Sequence, residues 1–191
     1  LGDNRTETEF TPGTAINLTI PDSGMSGRRY FHVSLDGTGA VMMGTPIDRQ
    51  TRDMKAAFAW LGARKDVVKT KIASVGFCMG GRNSFTMAIE EPTLAAAVVY
   101  YGAPPTDPAS IAKIKAPMLG NFGGDDEGPS PAQAKEFEAA AKKAGKTFDL
   151  KVYTGAPHAF ANLNIPWKGY RKDAANDAWT RTTAFLRRYL M

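Results

Sequence analysis

The chain of 191 residues contains one cysteine, Cys78, and two histidines, His32 and His158. A single cysteine excludes an intramolecular disulfide framework. Three Cys and His residues in all are too few for a structural zinc site made of four such ligands. No stretch approaches the ~18 uninterrupted apolar residues of a membrane span, so no transmembrane helix is expected. The opening LGDNRTETEF is polar and reads as neither signal peptide nor transit helix. The expected location is cytoplasmic, with a periplasmic or secreted one as the alternative if a leader has been removed. A net charge of +5 invites a nucleic-acid reading. Its basic residues, however, fall in scattered pairs (Arg28-Arg29, Lys142-Lys143, Arg187-Arg188), and no basic run is interleaved with stacking aromatics, so no nucleic-acid partner is expected.

What is present is an ordinary globular composition, 43% hydrophobic, enough for one core in a chain of this length. No repeat, low-complexity tract or linker interrupts residues 40–191, so residues 1–191 read as one domain with a weakly patterned segment at 1–45. Within that segment Ala15–Ile20 and Tyr30–Leu35 are candidate strands. Further on, helices are expected at Asp48–Gly62, Gly80–Glu91 (ended by Pro92), Ala109–Ile114, from Ser130-Pro131 to Ala144, and at Lys172–Leu190. Strands are expected at Lys71–Phe77, Leu94–Tyr101, Pro117–Phe122 and Phe148–Tyr153. Regular alternation of this kind implies an α/β fold with a parallel sheet covered on both faces. Such sheets carry their sites at the carboxyl ends of the strands.

Gly76-Phe77-Cys78-Met79-Gly80 lies between an expected strand and an expected helix, where a nucleophile elbow would lie. A nucleophile on so sharp a turn needs nearly absent side chains two residues away on either side, and Gly76 and Gly80 meet that demand. Gly81 would let the following helix pack closely. The turn would expose the Cys78 sulfur at a helix N-terminus, which favours thiolate. The Met79 backbone N–H would then face a developing oxyanion. Walker-type spacing of Gly76 and Gly81 fails because Arg82-Asn83 stands where Lys-Ser/Thr is needed. A buried structural cysteine in a tight turn is the competing reading.

A triad in this fold takes its acid and then its base from later in the chain. His158 follows the expected strand ending at Tyr153, whereas His32 precedes the nucleophile and reads as structural. After Phe122 the sequence is Gly123-Gly124-Asp125-Asp126-Glu127-Gly128. Spacing alone does not choose between Asp125 and Asp126.

Gly76-Phe77-Cys78-Met79-Gly80-Gly81, then Gly-Gly-x-Asp at 123–126 and Pro-His-x-Phe at 157–160, resemble the dienelactone hydrolase family of α/β-hydrolases. Tyr101–Asp107, Ile114–Pro117 and Ala144–Phe148 add to the likeness, which covers about residues 53–190. The resemblance implies a three-layer α/β-hydrolase sandwich with a mostly parallel sheet, shortened on its N-terminal side. It makes Cys78 the nucleophile, Asp126 the acid and His158 the base of a cofactor-free hydrolase of small esters or lactones. The implied mechanism runs through a thioester. Phe77, Arg82 and Phe160 are the candidate substrate contacts, with Tyr101, Phe122 and Trp167 as further aromatic candidates.

Two positions depart from the family pattern. No Glu follows His32, and Asn162 stands four residues beyond His158, where some members carry an arginine for a substrate carboxylate; Arg82 and Arg171 are candidate substitutes. The alternative function is a catalytically impaired scaffold or binding module that lacks half of the oxyanion hole. Esterase, peptidase or thioesterase scope on the same fold is a third reading. Homodimerisation is left open.

Overall fold

A computed structural model describes residues 16–19, 32–35, 45–164 and 169–191. Internal contacts divide the chain into two compact units, Leu1–Ile47 and Asp48–Met191. In the first, β1 (Ile16–Thr19) pairs antiparallel with β2 (His32–Leu35), Ile16 opposite Leu35 and Thr19 opposite His32. Both expected strands of the N-terminal segment are therefore present, in shorter form.

The second unit runs α1 (Ile47–Ala63, its first residue at the boundary), β3 (Ala73–Phe77), α2 (Met79–Glu90), β4 (Ala96–Tyr100), α3 (Pro108–Lys113), β5 (Met118–Gly123), α4 (Pro131–Lys143), β6 (Phe148–Tyr153) and α5 (Lys172–Leu190). The four strands form one parallel sheet in the order β3-β4-β5-β6. Sequential order along the sheet follows from short strand–helix–strand units, each returning the chain beside the strand it left.

Strand alternation builds a core on each face of the sheet. Ala97 and Val99 of β4 point to one side, with Met118 and Phe122 of β5 and Phe85, Ile111, Ala134 and Phe137 from α2, α3 and α4. Val98 and Tyr100 point to the other, with Leu119, Tyr153, Phe160 and Ala178 of α5. The two central strands are buried at every position. That is why LAAAVVYY and PMLGNF read as continuous apolar runs. Phe148 on the β6 edge is half-buried and packs against the first core, ringed with Phe85 and Phe137 at 4.8–6.0 Å between centroids.

Helix starts match their local chemistry. Ser130 and Gln133 form a reciprocal capping box around Pro131, and the Asp107 carboxylate, just before Pro108, accepts from the Ala109 and Ser110 amides. Among the described residues, no helix is long and apolar enough to cross a membrane.

Candidate active site

The carboxyl ends of β3, β5 and β6 converge on one cluster. Cys78 sits between β3 and α2 with φ 54° and ψ −116°, a left-handed conformation that a side chain adopts only under constraint. The constraint comes from both sides. The Cys78 N–H donates to the Tyr100 carbonyl (3.0 Å), and the Cys78 carbonyl accepts from the Arg82 N–H (3.1 Å) as the first turn of α2. A Cβ on Gly76 would stand 1.8 Å from the Gly80 carbonyl oxygen, so only glycine fits there.

Gly80 differs from expectation, because nothing lies within 4 Å of where its Cβ would be. The close packing falls on Gly81, as expected, and also on Gly102, to which the sequence analysis gave no role. A Cβ on Gly102 would lie 2.3 Å from Arg82 N, so β4 and the first turn of α2 approach backbone to backbone. A glycine directly after a buried strand was the signal available for it.

The other two groups come from loops. Asp126, in the turn after β5, has a side chain only 1% exposed. Its Oδ1 accepts from the Gly128 N–H (2.9 Å), and its Oδ2 lies 2.8 Å from His158 Nδ1. His158 Nε2 lies 3.1 Å from Cys78 Sγ. The structure thus brings Cys78, His158 and Asp126 into one hydrogen-bonded line. It also separates the two adjacent carboxylates: Asp125 is exposed, and only its backbone N–H is engaged, to the Ala156 carbonyl. His32, at the start of β2, belongs to the other unit.

The electrostatics follow from this line. The hydrogen bond with His158 pulls the Cys78 thiol below its ordinary range against the opposing effect of burial, and the Met79 backbone N–H adds in the same direction. His158 is raised to about 9, chiefly by its hydrogen bond with Cys78 and then, against burial, by Asp126. Both shifts favour the same state, a Cys78 thiolate beside a His158 imidazolium. The Met79 amide, the first of α2, is the backbone donor to the sulfur.

Around the line the aromatics divide. Phe77 is 44% exposed, stacked on Tyr100 at 4.4 Å between ring centroids. Tyr101 is buried with its ring 5.1 Å from that of His158. Burial, and then the negative charge of Cys78, raise the Tyr101 hydroxyl well above its ordinary range, so it keeps its proton. Phe160 is fully buried behind Tyr101 (5.4 Å) and Tyr153 (5.0 Å), so its ring backs the wall of the site. Phe122 lies in the core on the opposite face of the sheet, and Trp167 lies outside the described residues.

The two candidate arginines are drawn elsewhere. Arg82 Nη2 donates to Gln50 Oε1 of α1 (2.7 Å) and to Asn83 Oδ1 (3.3 Å). Gln50 is buried and also accepts from Asn83 Nδ2 (3.2 Å), tying α1 to the first turn of the elbow helix. Nothing in the helical pattern of α1 marked Gln50 as a buried polar anchor. Arg171 Nε donates to the Gly155 carbonyl. Among the described residues, no group of three His, Cys, Asp or Glu side chains gathers as a metal site.

Comparison with known proteins agrees with this architecture. A protein from Saccharolobus solfataricus named "Putative carboxymethylenebutenolidase" is 45% identical over 118 residues, 62% of this chain and 44% of that protein. One of the same name from Methylorubrum extorquens is 34% identical over 146 residues, 72% of this chain and 50% of that protein. The chain therefore spans about half the length of these relatives. A crystal structure titled "Putative Dienelactone Hydrolase" from Klebsiella pneumoniae superimposes with a TM-score of 0.70 at 27% identity, covering 78% of this chain and 64% of that one. The family model described as "Dienelactone hydrolase family" matches residues 36–190, and the chain belongs to that family.

Proposed function

We propose that this chain hydrolyses small carboxylic esters or lactones through a thioester on Cys78. The observation that carries the reading is the line from Cys78 Sγ to His158 Nε2 (3.1 Å) and from His158 Nδ1 to Asp126 Oδ2 (2.8 Å), anchored at a left-handed elbow. The two relatives named carboxymethylenebutenolidase and the neighbouring structure named dienelactone hydrolase support the same substrate class.

In this reading the thiolate attacks the carbonyl carbon, and the carbonyl electron pair moves onto oxygen beside the Met79 N–H. Collapse of the tetrahedral intermediate expels the alcohol oxygen, which takes the proton from His158 Nε2. Neutral His158 then removes a proton from water as its oxygen attacks the thioester. The second collapse releases the acid and restores thiolate and imidazolium. Asp126 Oδ2 holds His158 Nδ1 and fixes the ring so that Nε2 faces the sulfur. Phe77, exposed beside the nucleophile, offers the apolar contact for the acyl or alcohol portion. Phe160 acts on substrate through Tyr101, and Arg82 acts through the placement of the elbow helix.

Hydrolysis of p-nitrophenyl acetate and of a simple γ-lactone by the wild type and by Cys78→Ala, between pH 5 and 9, tests this. Turnover that disappears in the variant is expected. Equal rates in the two proteins would remove Cys78 from the chemistry, and no turnover in either would favour the impaired scaffold.

A further inference from the structure

The loop that carries His158 runs from Thr154 to Asn162 between β6 and α5 and has no regular structure of its own. Its first half is stitched to the acid turn by backbone: Gly124 N–H and Ala156 N–H donate to the Tyr153 carbonyl, and Asp125 N–H donates to Ala156. Two residues turn through left-handed conformations, Gly155 at φ 72° and Ala159 at φ 57°, so the loop doubles back on each side of the histidine. A loop of this kind must be closed if the imidazole is to stay within hydrogen-bond reach of two partners at once.

Arg171 supplies the closure. Its side-chain Nε donates to the Gly155 carbonyl (2.9 Å), and its backbone N–H donates to the Phe160 carbonyl (2.9 Å). The two contacts fall three residues before and two residues after His158, so one residue grips both arms of the loop. Helix energetics disfavour an arginine at this position. Arg171 is the N-cap of α5 but its side chain makes no capping hydrogen bond, and a cation at a helix N-terminus meets the unfavourable end of the dipole. A residue that breaks a local rule at the edge of a site is a candidate for a task in that site.

We propose that Arg171 is a positioning residue, holding the histidine loop closed so that His158 lies between Asp126 and Cys78. The inference rests on the hydrolase reading for its consequence in turnover but not for its consequence in thiol chemistry. The action is geometric: the guanidinium donates to the Gly155 carbonyl and to the Tyr170 carbonyl, both between β6 and α5. Arg171 does not contact substrate in this account, so its loss lowers kcat and leaves KM unchanged.

The test uses Arg171→Ala, Arg171→Met and Arg171→Lys, with two readouts: p-nitrophenyl acetate kinetics and the pH profile of Cys78 alkylation by iodoacetamide. Arg171→Met keeps most of the apolar stem should the alanine variant fold poorly. The expected result in both is a kcat lower by roughly 10- to 100-fold with KM within about twofold. Alkylation is slower at pH 7 and its midpoint moves to higher pH, because the hydrogen bond that favours the thiolate is lost. Arg171→Lys, which can still donate to Gly155, recovers part of both. Guanidinium added to the alanine variant, and not to the wild type, restores part of its rate. Unchanged kcat and an unchanged alkylation profile in Ala and Met would overturn the proposal. A raised KM at constant kcat would overturn it too, placing Arg171 on the substrate. Because alkylation needs no turnover, a wild type inactive on esters whose alkylation still depends on Arg171 would sink the hydrolase reading and leave this inference standing.

Discussion

The elbow and the histidine loop face one another across 3.1 Å, yet they are held in place by different means. The elbow is fixed by close backbone packing inside a single strand–turn–helix unit. Gly76 lies under Gly80, Gly81 and Gly102 meet without side chains between them, and the Cys78 N–H is bound to the neighbouring strand. The histidine loop has no such steric lock. It relies on left-handed turns, backbone bonds to the acid turn, and contacts with a residue 13 positions beyond the histidine, Arg171. A nucleophile can thus be placed by excluded volume, while a base on a loop is placed by hydrogen bonds.

Four changes would break or sharpen that contrast. The largest expected loss of activity is at Asp126→Asn, which keeps the shape and removes the charge that orients imidazolium. We expect kcat to fall on the order of 10³- to 10⁴-fold, as in serine triads, with an unchanged melting temperature; activity within tenfold of wild type would make Asp126 dispensable. Gly76→Ala attacks the rigid side. Its methyl would stand 1.8 Å from a carbonyl oxygen, so the strand must shift, and a loss of at least about 3 kcal/mol in denaturant unfolding is expected. A loss below about 1 kcal/mol would show that the elbow is not sterically locked.

The pH dependence comes next. Cys78 ionises below its ordinary range and His158 keeps its proton to about 9. For an alkyl ester, kcat/KM should therefore rise on an acid limb that lies below the thiol's usual range and fall as pH passes about 9, where the proton needed by the leaving alcohol is lost. An alkaline limb near 6.5, the ordinary histidine value, would contradict the ion pair. The smallest effect is expected at Ala159→Gly on the soft side. Removing a side chain from a left-handed position relieves ~1 kcal/mol, offset in part by backbone entropy, so stability should change by less than about 1 kcal/mol in either direction.

The same contrast explains what could be read from sequence. Residues 76–81 were legible because the steric demand is local: nucleophile, strand and helix are consecutive, and glycine at 76 has one use there. The sheet was legible for a similar reason, since the central strands are buried on both faces and show it as unbroken apolar runs at 94–101 and 117–122. Asp125 and Asp126 are indistinguishable by spacing, because the turn that buries one and exposes the other is set by tertiary packing; only the family likeness chose between them. Gln50 and Arg171 were not legible as anchors. Their partners lie 32 and 16 residues away, at Arg82 and Gly155. Phe160 was a candidate substrate contact, but its ring turns into the core. Gly80 matched the elbow pattern while the volume beside it is open.

The most direct test of the central claim is to find the acyl group. Wild-type protein mixed with p-nitrophenyl acetate, acid-quenched during the first turnover and digested, should carry acetyl on the peptide containing Cys78, and Cys78→Ala should carry none. Turnover without acylation of that peptide, or acylation at another side chain with Cys78 untouched, would contradict the thioester mechanism.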